Sequence, residues 1–526
     1  MNPLTLKLRP VHWRLAMLPA GLLHAGALAW PGSGAALWWL QLASLAILGK
    51  AVLTAARVRD AAWLGLIFAT TWLAATFCWL FTSMHTYGGL AAPLAAAAVL
   101  ALALFLALYY AGACALFKLF TFRHRAVLAV LFAACWLLAE LARGVLWTGF
   151  PWGASGYAHI SGPLNPLARW VGVYGIGAFA AGLAMLLAQV RRSDGLDPKI
   201  WASCGYAAML LVGVHLHRQQ VLNKYEPENP PLTVALLQGN IAQDEKFQLG
   251  TGVPLALEWY SRQLFASHAD LVIAPETAIP LLPQQLSYGY LDGLRSWFTT
   301  WGGHQAALVG IPLGNATQGY TNSALGWSPD ERSAYRYNKH HLVPFGEFIP
   351  PLFRWFVRLM DIPLGEFTPG AVAQAPFLWA GERIAPHICY EDLFTAELGA
   401  RFADAQQAPT IFANLSNIAW FGNSLAIDQH LHISQMRALE FERPFIRATN
   451  TGATAIIDHR GQVVQRLPSG QRGVLTGQVQ GRTLATPYAR WVAHTGLWPL
   501  ALLAVVALGL ALWRQRIERL RFIKAQ

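Results

Sequence analysis

The stretch Arg383-Ile384-Ala385-Pro386-His387-Ile388-Cys389-Tyr390-Glu391-Asp392 decides how this chain is read. A short apolar run bounded by polar residues has the length and composition of a buried strand, and it delivers a cysteine at its end, before an acidic turn. Strand ends suit nucleophiles because the backbone there is rigid while the side chain projects into a crevice. The competing reading is a buried structural thiol. A second apolar run, Leu271-Val272-Ile273-Ala274-Pro275-Glu276, ends on a carboxylate in the same manner. Such a group takes a thiol proton if its surroundings favour the neutral acid; otherwise Glu276 is a solvated loop acid. The third feature is Lys339, within Tyr337-Asn338-Lys339-His340-His341-Leu342-Val343-Pro344-Phe345-Gly346-Glu347. A lysine ammonium is a compact charge suited to a developing oxyanion, although most single lysines are surface cations. The adjacent His340 and His341 have no acid or cysteine at ligand spacing on one element, so no metal is expected.

Around these residues the pattern alternates. Strands are expected at Thr233–Gln238, Leu271–Ala274, Ala306–Ile311, Arg383–Ile388 and Thr410–Ala413, and helices at 254–266 and 428–442. Short apolar runs broken by Gly and Pro between helices argue for an α/β domain with a buried sheet.

The rest of the chain is different. Of 526 residues 55% are hydrophobic and only 13% charged, with 22 tryptophans, a balance that favours membrane helices with interfacial aromatic belts. Apolar runs of about 14–31, 33–56, 61–82, 88–117, 126–146, 167–190 and 200–217 precede the α/β region, and one of about 491–513 follows it. Each approaches the roughly 20 residues that a span requires. Eight spans are therefore expected.

The net charge of +12 is distributed as topology rather than as a nucleic-acid face. Lys7, Arg9 and Arg14, then Lys50, Arg57 and Arg59, then Lys118, Arg123 and Arg125, then Arg191, Arg192 and Lys199, and finally Arg514, Arg516, Arg519, Arg521 and Lys524 all fall on one side if every run spans. The intervening loops around 32, 83–88 and 147–166 contain no Lys or Arg. The positive-inside rule then sets both termini in the cytoplasm and the α/β region on the opposite, periplasmic face. A cleaved signal peptide ending near Ala25 and Ala27 would break that alternation. The domains expected are 1–217, a seven-helix membrane region; 218–488, the catalytic domain; and 489–526, the eighth span with a basic tail. Four of five cysteines (Cys78, Cys114, Cys135 and Cys204) lie in apolar runs, where a thiol acts as a small hydrophobe. Glu140 and Arg143, three apart in the fifth run, are expected to pair with each other.

Glu276, Lys339 in K-x-H-L-V-P-F-G-E and Cys389 in C-Y-E-D, in that order, resemble the carbon–nitrogen hydrolase (nitrilase) superfamily. With the membrane runs, the chain resembles the apolipoprotein N-acyltransferase family. Supporting stretches are Asn414-Leu415-Ser416-Asn417, Ala419-Trp420-Phe421-Gly422, Arg437-Ala438-Leu439-Glu440, Arg443-Pro444, Arg447-Ala448-Thr449-Asn450-Thr451-Gly452, Gly149-Phe150-Pro151-Trp152 and Gly156-Tyr157. Two positions depart from the family pattern. Ile418 stands where Asp is usual before Ala-Trp-Phe-Gly, and Phe247 stands where Trp usually follows Lys246.

The resemblance implies an α-helical membrane bundle of about eight spans joined to a nitrilase-like α-β-β-α sandwich. It implies a catalytic triad of Glu276, Lys339 and Cys389, with Glu347, Tyr390, Glu391, Trp420, Asn322, Phe247 and Trp152 supporting the site or binding substrate, and neither cofactor nor metal. The implied reaction moves an acyl chain from a membrane phospholipid, with phosphatidylethanolamine the expected donor, through a Cys389 thioester. The acceptor is the N-terminal amine of diacylglyceryl-cysteine apolipoproteins. The implied setting is the bacterial inner membrane, with a monomer expected and no nucleic-acid partner. The apolar insertion from Phe348 to Met360, with Leu281 and Leu282, is read as a lid dipping into the headgroup region or as a surface buried on the bundle. A membrane-tethered amidase or nitrilase would share the triad without needing the bundle. A transporter with an accessory domain would carry several charges in mid-membrane, and these runs carry few.

Overall fold

The computed structural model describes residues 10–191, 226–301, 303–330, 334–350 and 366–524, with Asp194, Met209, Val212, Gly213, His215, Leu216 and residues 218–220 between the first two segments. The chain divides into two compact units. One comprises Met1–Cys78, Ala96–Lys224 and Leu497–Gln526; the other comprises Trp79–Ala95 and Tyr225–Gly496.

The first unit is helical. Its described helices are α1 (Pro10–Leu28), α2 (Trp38–Thr54), α3 (Val58–Thr76), α4 (Ala92–Lys118), α5 (Arg125–Val145) and α6 (Ala168–Ala188), together with a long C-terminal helix, Trp498–Lys524. Thus a helix stands at each expected run except the seventh, which lies largely outside the described residues. Among the described residues four spans, Ala92–Lys118, Arg125–Thr148, Asn165–Ala188 and Trp498–Arg521, are long and apolar enough to cross a membrane. A fifth results if α3 and the bent segment Leu80–Tyr87 count as one. Two further expected runs fall below that criterion for local reasons. α2 has only 17 residues, and α1 carries His12, Arg14 and His24, which dilute its hydropathy. The expected pairing of Glu140 with Arg143 is replaced by separate partners. Arg143 donates to Tyr110 Oη at 2.9 Å and to the carbonyls of Phe150 and Trp152 at 2.6 and 2.7 Å, while Glu140 accepts from Ser155 N at 2.8 Å.

The second unit is built on two six-stranded sheets: one is ordered β12-β1-β2-β3-β4-β5, with β12 at Gly473–Val479, and the other β11-β10-β9-β8-β7-β6, with β6 at Phe377–Trp379, β10 at Ala455–Ile457 and β11 at Val463–Arg466. In the first, β1 (Leu232–Gln238), β2 (Leu271–Ala274) and β3 (Ala306–Asn315) are parallel, while β4 (Gly319–Trp327) and β5 (Tyr335–Asn338) extend it antiparallel. In the second, β7 (Glu382–Ile388), β8 (Ile411–Ser416) and β9 (Phe445–Thr449) are parallel. Alternation along β1 shows how the layers form. Val234 and Leu236 enter a core shared with Ile384, Ile388, Ile411 and Leu415 of the other sheet. Ala235 and Leu237 pack outward with Ala256, Tyr260 and Leu264 of α7 (Gly252–Ala266). Strand side chains alternate faces with period two, so each strand serves both layers. On the second sheet's outer face, Phe412 packs edge-on to Phe441 of helix Ala426–Phe441 at 5.5 Å. This is an α-β-β-α sandwich, with the ends of β2, β7 and β8 gathered at one edge.

Candidate active site

Each expected reactive residue stands just beyond a strand. Glu276 follows β2, Lys339 follows β5 and Cys389 follows β7. Lys339 is 1% exposed, so its charge must be met locally. Its Nζ lies 2.9 Å from both carboxylate oxygens of Glu347 and 3.4 Å from Glu276 Oε1. Asn322 on β4 joins the same carboxylates, its Nδ2 donating at 2.7 Å to Oε1 of each. The second oxygen of Glu276 accepts the main-chain N–H of Asn417, beyond β8, at 2.8 Å. Strands from both sheets therefore hold Glu276, and the buried network has a donor for each of its carboxylate oxygens.

Electrostatics differ across the site. Burial alone would lower the pKa of Lys339, but the charges of Glu347 and Glu276 outweigh it and hold the ammonium well above the ordinary lysine range. Burial pushes the Cys389 thiol well above its usual value and the negative charge of Glu276 adds to this, with Lys339 opposing. Cys389 is therefore held as a thiol, and any nucleophilic use of it needs a base. A second lysine, Lys246, is buried with Nζ 3.0 Å from the main-chain oxygen of Glu276. Burial brings its pKa down to about 8, partly offset by Glu276 and Cys389.

The remaining expected residues sort by position. Glu391 accepts from Ile388 N, His340 N and Tyr337 Oη at 2.5, 2.7 and 2.8 Å. It thereby fastens the strand that carries Cys389 to the loop that carries Lys339. Tyr390 is buried against Phe394, edge-on at 5.2 Å. Trp420 stands edge-on to Tyr87 at 5.9 Å; both belong to the second unit, because Trp79–Ala95 is part of it. In the same segment Trp79 donates from its indole N–H to Gln429 Oε1 at 3.1 Å and lies 4.2 Å from the ring of Phe421. Phe247 is about half exposed. Trp152 is a buried residue of the helical unit. Of the expected lid, 351–360 lie outside the described residues, while Leu281 and Leu282 are half-buried.

Sequence reasoning did not single out Tyr337, whose hydroxyl also accepts from Arg401 at 2.9 Å, or Asn414, which donates to the Cys389 carbonyl at 3.0 Å. Asn414 and Asn417 appeared only within the same family stretch. The one available signal was their placement at strand ends beside the reactive residues.

Residues 21–186 match the apolipoprotein N-acyltransferase N-terminal domain, and residues 233–488 match the carbon–nitrogen hydrolase family. An apolipoprotein N-acyltransferase of Verminephrobacter eiseniae is 60% identical, over 97% of this chain and 98% of that protein. Those of Ralstonia nicotianae and Bordetella bronchiseptica are 45% and 40% identical, over 91% and 94% of this chain and 90% and 96% of theirs. With both halves matched in order and relatives aligned along nearly its whole length, this chain belongs to the apolipoprotein N-acyltransferase family.

Proposed function

We propose that this chain is a membrane-embedded N-acyltransferase that moves an acyl chain from a phospholipid to the N-terminal amine of diacylglyceryl-cysteine on apolipoproteins. Glu276, Lys339 and Cys389 carry the chemistry. The observation that carries this reading is the Lys339 ammonium held between Glu276 and Glu347, with Lys339 and Glu276 both acting electrostatically on the buried Cys389 thiol.

In the first half-reaction, Glu276 takes the Cys389 proton and the sulfur attacks the ester carbonyl of the phospholipid. The carbonyl oxygen becomes an oxyanion, met by Lys339 and a main-chain N–H near Tyr390. The C–O bond then breaks, Glu276 returns the proton to the leaving oxygen, and a lysophospholipid departs from the thioester. In the second half-reaction, the acceptor's α-amine attacks the thioester and gives its proton to Glu276, which passes it to the departing sulfur. An amide forms and the thiol is restored. Excluding water protects the thioester between the halves.

The basic loops support a catalytic unit on the periplasmic side of a bacterial inner membrane, with both termini cytoplasmic and eight spans in all. Phosphatidylethanolamine is the donor and the working unit is a monomer. Phe247 and Trp420 are proposed to face substrate, Trp152 to support it from the helical unit, and Leu281 and Leu282 to belong to a lid.

The test is intact-mass spectrometry of the protein in micelles containing phosphatidylethanolamine. A mass gain of one acyl chain, labile to hydroxylamine, absent in Cys389→Ala and discharged by a diacylated lipopeptide, is the expected result. Folded protein that forms no adduct with any phospholipid, yet releases ammonia from small amides, would be an amidase instead.

A further inference from the structure

Cys389 holds φ at +54°, a left-handed conformation that costs an L side chain of order 1 kcal/mol or more. Such a backbone persists only where its surroundings over-determine it. The restraint is visible at its carbonyl, which accepts from Asn414 Nδ2 at 3.0 Å and lies 3.3 Å from His430 Nε2. Asn414 lies on β8, whereas His430 reaches across from helix Ala426–Phe441.

The surroundings of His430 set its ring completely. Nδ1 lies 2.9 Å from Arg447 Nη2. A guanidinium only donates, so Nδ1 accepts and the ring proton sits on Nε2. That N–H points between Asp392 Oδ1, at 3.0 Å, and the Cys389 carbonyl. Asp392 is fixed in turn, its Oδ2 accepting from Ser434 Oγ at 2.6 Å and Arg447 Nη1 at 3.2 Å. Arg447 Nη1 also donates to the His430 carbonyl, at 3.1 Å, and to Ser434. Asp392, His430, Ser434 and Arg447 are all fully buried. A buried ionic cluster of this kind is a poor source of stability compared with apolar packing. Its geometry serves another purpose, since one of its donors is directed at the nucleophile's own backbone.

We propose that His430 is a positioning residue: it locks the left-handed backbone of Cys389, and Asp392 and Arg447 hold its ring in the one tautomer able to do so. The sulfur is thereby aimed before substrate arrives, and reorganisation of the turn is removed from the acylation step. The inference rests on the reading of Cys389 as the acylated residue.

The test compares full-length wild type, His430→Ala, His430→Gln and Ser434→Ala in phosphatidylethanolamine micelles, following acyl-enzyme formation by rapid-quench mass spectrometry. His430→Ala should acylate about 10- to 100-fold more slowly at saturating phospholipid, with the half-saturating concentration unchanged. His430→Gln, whose amide nitrogen replaces Nε2, should regain most of that rate. Ser434→Ala weakens the same cluster without removing a donor from the Cys389 carbonyl. It should lower the unfolding temperature but keep acylation within about threefold of wild type. Should His430→Ala fail to fold, His430→Asn, too short to reach the carbonyl, takes its place. Wild-type acylation rates in His430→Ala would overturn the proposal. So would equal losses in His430→Ala and Ser434→Ala, which would make the cluster merely structural. A wild type that never gains an acyl group would remove the parent reading first, and this one with it.

Discussion

Oε2 of Glu391 accepts the main-chain N–H of Ile388 at 2.5 Å, one residue ahead of Cys389. The other oxygen of the same carboxylate accepts from His340 N at 2.7 Å, one residue past Lys339. One buried carboxylate thus ties together the segments that carry Cys389 and Lys339, which come from different sheets. Glu391→Gln would turn an amide NH₂ toward groups that themselves donate. We predict a loss of about 3 kcal/mol in stability and a fall of about 100-fold in acylation. Thermal unfolding and single-turnover mass spectrometry read the two effects. Unchanged acylation in a destabilised variant would reduce Glu391 to a structural role.

Asn322 separates two acids. Its single Nδ2 donates at 2.7 Å to both Glu276 and Glu347, with one ammonium, Lys339, between them. Asn322→Ala removes the donor, whereas Asn322→Asp adds a third carboxylate to a site with one adjacent cation. Like charges in a buried setting repel strongly, so the Asp variant should acylate at least about tenfold more slowly than the Ala variant. Equal rates for the two would show that Asn322 fills space rather than balancing charge.

How much of this arrangement was legible beforehand depended on whether a residue closed an apolar run. Leu271–Ala274 was read to the residue, and Glu276 and Cys389 followed because each ends such a run. β4, Gly319–Trp327, escaped notice: its Gly, Asn and Ser residues have poor strand propensity, yet Asn322 and Ser323 are buried there. Polar side chains that line a site look like loop in a one-dimensional pattern. Span number was less legible than strand position, because length and apolarity are judged helix by helix: among the described residues α2 has 17 residues and α3 passes only when joined across a 61° bend to Leu80–Tyr87. Nor did anything in the hydropathy of residues 79–95 announce that they pack with the catalytic unit; that is a tertiary fact.

Trp79 anchors that segment. Its side chain is 3% exposed, with the indole N–H bonded to Gln429 and the ring against Phe421. Trp79→Ala should cost about 3 kcal/mol through the cavity and the lost hydrogen bond, and should loosen the turn that carries Trp420. Limited proteolysis is the measurement: cleavage near residues 419–422 should accelerate. Wild-type resistance would mean that the turn is held by other contacts.

Lys246 supplies a test by pH. Buried beside Glu276, its pKa falls from the ordinary 10.5 to about 8. Below pH 8 the folded and unfolded chains both carry the proton, and the folded chain bears the full penalty of a buried ammonium. Between pH 8 and 10.5 the folded chain has released it while the unfolded chain still holds it. Stability contributed by this group therefore rises with pH across that window, by about 3 kcal/mol. In Lys246→Met the rise should vanish. Unfolding by denaturant in micelles at pH 7.5 and pH 10 should show wild type gaining on the variant by about that amount. A difference that stays flat would mean that Lys246 remains charged throughout, as a second permanent cation beside Glu276 rather than an amine able to give and take a proton near neutrality.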